Sequence, residues 1–334
     1  MDIIKNKTLL FALLLLFPLI SIAQSKKENN SDYLIRPVSS LNTTELIFPT
    51  EDVQVDFHLL GLLKNLNSYS KIEITNNIVD LFSVTDISTT TQGNLSIILS
   101  GSSSPNHAIF SVGKNNDVHG VININGDEFS LKSIELSDEV VFKITKQTDI
   151  DVPDHETDYF LSTESNLMSE SIILTEKDSL DGQSKINILV AYTPSARNES
   201  HAAIELYIDT LISQTNLSFL NSDIENVKVE LVGVYEIEDY PLTKQGSSEN
   251  LNHVRNRTDL IDLRQMYGAD VVAVLLGSDD LVESCGRARI NASKELAYYI
   301  ARVGCQYTFT HELGHVLGMQ HNIEQSQNQF YSYG

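Results

Sequence analysis

The stretch FTHELGHVLGMQH, residues Phe309 to His321, places three histidines and a glutamate around two glycines. His311 and His315 are four residues apart, which on a helix of 3.6 residues per turn puts both imidazoles on one face. Gly318 can adopt the left-handed conformation that ends a helix, so the chain can return His321 toward the other two. Three imidazole nitrogens at this spacing suit one zinc ion and leave its fourth position open, as in a catalytic site.

Glu312 lies beside the first histidine of this stretch, where its carboxylate can reach a metal-bound water without ligating the metal. We therefore predict that Glu312 is a general base. The apolar residues Phe309, Leu313, Val316 and Leu317 give the same helix a face to bury. The alternative is that the histidines lie on a solvated face, but the glycine and the third histidine at matching offsets favour a metal site.

The N-terminus has the pattern of a secretory signal peptide. Lys5 and Lys7 precede an apolar run from Leu9 to Ile20, and Ser21-Ile22-Ala23 is a small-x-small cleavage pattern. Because the run is shorter than the roughly 20 residues that span a bilayer, we predict cleavage after Ala23 rather than a membrane anchor. The mature chain is expected to be secreted, to the extracellular space or the periplasm, with no membrane contact.

Composition restricts the function classes. The 334 residues are 41% hydrophobic and 20% charged, so the chain can bury a core, and its length suggests about two domains. The formal net charge is -22, and acidic residues are in excess in both halves. Such a surface disfavours binding to nucleic acid or to an anionic membrane.

Cys285 and Cys305 are the only cysteines in the sequence. In an exported protein they meet an oxidising compartment, where pairing is favoured. A bridge between them would stabilise the fold by about 3 kcal/mol by restricting the unfolded chain. Two separate buried thiols are the alternative.

Four segments follow from composition and periodicity. After the signal peptide, residues 1–23, residues 24–145 alternate short apolar runs with Gly, Asn and Ser, which predicts a β-rich N-terminal domain with a turn at Asn125-Gly126. Residues 146–184 are rich in Asp, Glu, Ser and Thr and predict an exposed linker that tolerates cleavage. Residues 185–334 alternate strands with helices, which predicts an α/β domain with a mostly parallel, twisted sheet.

The elements of this last segment are predicted from buried apolar runs and from helical spacing. They are strands at Ile186–Tyr192, Val227–Ile237 and Asp270–Leu276, helices at Glu199–Leu220 and Asp259–Tyr267, and two shorter strands, CGRARI and AYYIARV.

The motif HELGHVLGMQH resembles the metzincin zinc signature. From about Ile186 to His321 the chain resembles the reprolysin-like, or adamalysin-type, branch, especially bacterial secreted proteins related to peptidyl-Asp metalloendopeptidases. The similarity runs through NILVAYTPSAR, ELVGVYEI, YGADVVAVLL, SCGRARI and VGCQYTFTHELGH. It implies a metzincin-like catalytic domain with a zinc-binding active-site helix, preceded by the β-rich domain.

Residue by residue, the resemblance implies that His311, His315 and His321 bind one catalytic zinc ion and that Glu312 is the general base. It also implies a disulfide between Cys285 and Cys305, and an edge strand, CGRARI, along which a substrate lies. The expected function is a secreted zinc metalloendopeptidase that hydrolyses internal bonds of protein or peptide substrates.

The N-terminal domain occupies the position of the family's pro-region, so we expect a zymogen and name this domain as a candidate intramolecular inhibitor. Because the N-terminal half has no cysteine, such inhibition must use another group or occlusion. His58, His107, His119 and His155 are candidates by residue type only, and ordinary packed or surface histidines are the alternative.

Two further features bear on activity. Metzincins place a Met-containing turn after the third histidine, whereas this sequence stops at Gly334, so we expect a domain truncated before that turn. The alternative function is a catalytically degenerate zinc-binding or adhesive interaction protein. Arg287 and Arg289, two apart on the predicted edge strand, are candidates for attracting an acidic substrate side chain, with a solvated pair at the rim as the alternative.

Overall fold

A computed structural model describes residues 33–37, 50–55, 69–75, 78–103, 105–115, 117–136, 139–147, 184–200, 203–241, 246–280, 284–305 and 307–321. The predicted signal peptide, nearly all of the predicted linker, His58, His155 and everything after His321 lie outside these residues. In the part of the chain that is described, no helix combines the length and apolar character needed to cross a membrane.

The first part of the described chain is entirely β-structure, as predicted. Its strands close into a barrel in the order β1-β2-β9-β8-β7-β6-β5-β4-β3. The strands are β1 Tyr33–Pro37, β2 Thr50–Val55, β3 Tyr69–Thr75, β4 Ile78–Thr89, β5 Leu95–Gly101, β6 His107–Val112, β7 Val118–Ile124, β8 Asp127–Leu136 and β9 Glu139–Lys146.

Alternating apolar residues of these strands fill the barrel interior. Phe82, Phe110 and Phe129 are all buried and belong to one hydrophobic cluster. Burial of each such side chain contributes about 1.5–3 kcal/mol. The predicted turn at Asn125-Gly126 is present between β7 and β8, and both residues have positive φ, 57° and 87°, as a tight hairpin turn requires.

The second part of the described chain is a five-stranded sheet with helices on both faces. Its strands are β10 Ser184–Tyr192, β11 Val227–Glu236, β12 Val271–Leu276, β13 Gly286–Ala288 and β14 Tyr298–Arg302. Its helices are α1 Pro194–Ser200, α2 Ile204–Asn221, α3 Ser247–Arg255, α4 Thr258–Tyr267 and α5 Thr308–Val316, with a short 3-10 turn at Lys294–Leu296.

The strand order in this sheet is β11-β10-β12-β14-β13. The pairs β10 with β11, β10 with β12, and β12 with β14 are parallel, and β13 is an antiparallel edge strand on β14. Side chains of β12 alternate between the two faces: Val271, Ala273 and Leu275 pack with α2 and α5, while the residues between them pack with α3 and α4.

Two helix predictions differ from the structure. The predicted helix Glu199–Leu220 is two helices, because Ala203 has φ -54° and ψ 116°, outside the helical region, directly before α2. Pro194 begins α1, in the first helical position that proline favours. Helix α3 was not predicted, since its polar sequence SSENLNHVR has few apolar residues to reveal a periodicity.

Candidate metal centre and active site

Three histidine side chains converge where α5 ends. His311 and His315 lie one turn apart on α5, and His321 follows the turn after the helix. The Nε2 atom of His321 lies 3.2 Å from that of His311 and 3.0 Å from that of His315. Each histidine offers one nitrogen to a group whose atoms all lie within 4.8 Å of one another. The sequence spacing therefore produces one compact set of nitrogen donors.

A glycine turn positions His321. Gly318 has φ +100°, its N–H donates to the His315 carbonyl at 2.9 Å, and the Met319 N–H donates to the Gly314 carbonyl at 2.9 Å. This pair of bonds is the Schellman motif, which ends a helix at a residue in the left-handed region. The N–H of Asn291 also donates to the His315 carbonyl, so the end of α5 is held by two parts of the chain.

The hydrogen bonding of His315 leaves its Nε2 lone pair directed at the cluster. Its Nδ1 lies 2.9 Å from the carbonyl oxygen of Met319, and a carbonyl only accepts, so Nδ1 carries the proton. A neutral imidazole with this tautomer is the form that binds a metal, and the backbone carbonyl is the usual partner of its other nitrogen. The donor set of three imidazole nitrogens therefore fits a zinc ion.

Glu312 is buried beside the histidines, with 1% of its surface exposed. The edge strand β13 passes against it: a Cβ placed on Gly286 would lie 2.8 Å from both Cγ and Oε1 of Glu312, and 2.6 Å from Cγ2 of Thr308. Only a residue without a side chain allows this approach. The main chain of β13 is therefore in contact with the side chain of Glu312 on α5.

Tyr299 of β14 was not predicted as part of this site. Its side chain is fully buried, and its ring packs edge-on against Phe309 of α5 at a centroid distance of 5.4 Å. Burial raises the pKa of the Tyr299 hydroxyl well above its ordinary value, and the negative charge of Glu312 raises it further. Tyr299 therefore keeps its proton at physiological pH, and its ring lies against helix α5.

A disulfide joins Cys285 to Cys305, with their Cα atoms 5.6 Å apart. Cys285 directly precedes β13, and Cys305 lies between β14 and α5. The Cys285 carbonyl also accepts a hydrogen bond of 2.6 Å from the N–H of Arg302. Covalent and hydrogen bonds together fix the start of the edge strand beside the chain that enters α5.

Arg287 and Arg289, considered as attractors of an acidic side chain or as a solvated pair at the rim, do not form an exposed pair. Arg287 is only 4% exposed, and its Nη1 donates to the hydroxyl of Ser247 on α3 at 3.0 Å. Arg289 lies one residue beyond the end of β13. Arg287 is therefore a buried structural residue between β13 and α3. The two-residue periodicity of a strand does not predict this burial.

Residues 205–322 match the model of a family described as metallo-peptidase family M12B, reprolysin-like. The peptidyl-Asp metalloendopeptidase of Pseudomonas aeruginosa is 29% identical over 167 residues, which is 44% of this chain and 27% of that protein. The chain thus spans about a quarter of the length of this curated relative.

Two solved structures are also similar. Metalloproteinase-II from Bacteroides fragilis is 12% identical with a TM-score of 0.47, over 79% of this chain and 85% of that chain. A chaperone-substrate complex contains a chain that is 26% identical with a TM-score of 0.38, over 42% of this chain and 27% of that chain. The family match and the curated relative confirm the predicted resemblance to reprolysin-like metallopeptidases.

Proposed function

We propose that this protein is a secreted, zinc-dependent metalloendopeptidase that hydrolyses internal peptide bonds. The observation that carries the proposal is the convergence of three histidine Nε2 atoms, 3.0 to 3.2 Å apart in two pairs, at the end of the helix that also carries the buried Glu312. His311, His315 and His321 would hold one zinc ion. When bound, zinc supplies Lewis-acid chemistry, which polarises a carbonyl and lowers the pKa of water toward about 7.

Glu312 is the general base in this proposal. Its carboxylate accepts a proton from the attacking water and delivers it to the amide nitrogen of the leaving product. The close contact with Gly286 limits the positions that the carboxylate can adopt. No covalent bond between the chain and its substrate is required.

The edge strand β13 is the substrate-binding element in this proposal. An extended peptide can add to the edge of a sheet through main-chain hydrogen bonds. Because β13 runs directly past Glu312, a peptide beside it lies near both the base and the histidines. The buried Arg287 is a structural residue and is not assigned to substrate recognition.

The proposed domain organisation follows the sequence segments. Residues 1–23 are the signal peptide, 24–145 a pro-region, 146–184 a linker that is cut on activation, and 185–334 the peptidase domain. The disulfide between Cys285 and Cys305 supports secretion, because such bonds persist in oxidising compartments. The alternative of a degenerate or adhesive protein is not favoured, since residues 205–322 match a metallopeptidase family and the three histidines of the motif come together.

Replacement of Glu312 by Gln tests the general-base assignment. The amide keeps the shape of the side chain but has no basic oxygen, so casein hydrolysis should fall by about 100-fold or more while zinc content is unchanged. The matched control is Glu295→Gln, at an exposed residue of the 3-10 turn, which should keep full activity. Casein hydrolysis by the Glu312→Gln protein at the unmodified rate would refute the assignment.

A further inference from the structure

One face of helix α2 is covered by the barrel. Strands β5, β6 and β7 of the barrel contact α2. Helix α2 belongs to the five-stranded sheet and its helices, which we call the peptidase half. Three of the α2 residues that meet the barrel are polar and buried: Asp209, Thr210 and Ser213. This face differs from the opposite face of α2, where Ile208 and Leu211 pack into the apolar core of the peptidase half.

Asp209 is held by three side chains of the turn between β4 and β5. Its carboxylate accepts hydrogen bonds from Thr90 at 3.0 Å, Gln92 at 3.1 Å and Asn94 at 2.8 Å. Gln92 also donates to the Glu205 carbonyl at 3.2 Å. Asp209 is only 2% exposed, so neutral donors from the barrel replace the water around a buried carboxylate. We call this set of contacts the Asp209 clamp.

A second set of polar contacts lies further along α2. The hydroxyl of Thr210 is 3.0 Å from Nδ1 of His119 and 3.0 Å from the hydroxyl of Ser111, both in the barrel. The hydroxyl of Ser213 is 2.8 Å from that of Ser96. These buried polar atoms are paired across the contact. The contact is therefore specific, because each surface must offer hydrogen-bonding groups at positions that match those of the other.

The barrel and the peptidase half have separate hydrophobic cores. The cluster inside the barrel contains no residue of the peptidase half, and the two clusters around the five-stranded sheet contain no barrel residue. A polar contact between separate cores resembles the interfaces of proteins that associate reversibly. One chain segment, residues 148–183, connects the two parts along the sequence.

We propose that the polar face of α2 is a binding site for the barrel as a separate polypeptide. After a cut within residues 148–183, the barrel stays bound to the peptidase half without a covalent link, and the Asp209 clamp determines this binding. All of the proposed metal ligands belong to the peptidase half. Within the described residues, the group that could hold a metal consists of three histidines and contains no barrel residue. The proposal does not depend on peptidase activity.

The experiment uses the full-length chain with a site for a specific protease inserted within residues 148–183. After complete cutting, size-exclusion chromatography and ultracentrifugation report whether the two fragments migrate together. We expect the unmodified fragments to co-migrate. Replacement of Asp209 by Ala should raise their dissociation constant by about tenfold or more, because hydrogen bonds to a charged acceptor are lost.

Two further variants separate lost binding from lost folding. Asn94→Ala removes one donor from the barrel turn and leaves α2 intact, so it should also weaken the association while zinc content stays normal. Asp262→Ala, at an exposed carboxylate on α4, is the matched control and should bind like the unmodified protein. Separation of the unmodified fragments, or unchanged binding by both Asp209→Ala and Asn94→Ala, would overturn the proposal.

Discussion

Gly286 shows how one residue without a side chain determines the packing between the edge strand β13 and helix α5. Any Cβ at this position would overlap Thr308 and Glu312, at 2.6 and 2.8 Å. Thr308 and Glu312 are both buried, so neither side chain can move away at low cost. The glycine therefore helps to position Glu312, the proposed general base, although it carries no reactive group.

Replacement of Gly286 by Ala should displace the Glu312 carboxylate and lower kcat for casein hydrolysis by about tenfold or more, because small misplacements of a catalytic group are costly. Zinc content should stay unchanged, since all three histidines are retained. Steady-state kinetics and metal analysis of the same preparation check both parts. An alanine variant with unaltered kcat would show that this contact does not position the base.

The sequence contains enough information to predict the histidine cluster but not the residues around it. The spacing of His311 and His315 is a local property of one helix, and Gly318 has the positive φ that the predicted turn needs. By contrast, Gly286, Tyr299 and Asp209 acquire their roles from residues distant in sequence. Such contacts depend on the tertiary packing, so a local pattern cannot reveal them.

At the scale of secondary structure, apolar runs predict the buried strands well. Strands β10, β11 and β12 lie within one or two residues of the predicted bounds. The apolar run is continuous in the fully buried β12, whereas apolar and polar residues partly alternate in the edge strand β11. Helix boundaries are less predictable: the bend at Ala203 that separates α1 from α2 has no proline or glycine to mark it. The short strand β13 is defined by its pairing with β14 rather than by its own composition.

The barrel illustrates the same limit. Alternating residues predict strands, and Asn125-Gly126 predicts a hairpin, but closure depends on the pairing of β1 with β3 and of β2 with β9. These pairs join strands that are not successive in the chain. Their partners cannot be chosen from local periodicity, so a β-rich domain is the most that the sequence predicts.

At the scale of the whole molecule, the contact between the barrel and α2 contains a histidine whose charge is disfavoured. Burial, together with the positive charge of Lys132 on β8, lowers the pKa of His119 to about 3. From α2, the ring of Tyr207 meets His119 edge-on, and Asp209 lies in the same contact. Burial raises the pKa of Asp209. Proton uptake by Asp209 on acidification therefore favours the folded state, which is opposite to the effect of His119.

The sign of the His119 effect follows from linkage. The folded protein keeps His119 neutral, whereas the unfolded chain binds a proton below about pH 6.5, so this stability is complete above that pH and is lost as the pH falls toward 3. When the pH falls from about 7.5 to about 5, His119 should lower the free energy of unfolding by about 2 kcal/mol. Urea unfolding at the two pH values measures this change.

The matched variant is His119→Gln, which can still bond to Thr210 but does not titrate. Its unfolding free energy should fall less on acidification than that of the unmodified protein. Equal losses in the two proteins would mean that His119 does not control the pH dependence.

The central claim is that His311, His315 and His321 hold a zinc ion. Metal analysis after exhaustive dialysis tests it most directly, on the unmodified protein, on a His315→Ala and His321→Ala double variant, and on a His107→Ala control in the barrel. We predict one zinc ion per chain in the unmodified protein and in the control, and little or none in the double variant. Retention of a full zinc equivalent by the double variant would contradict the account.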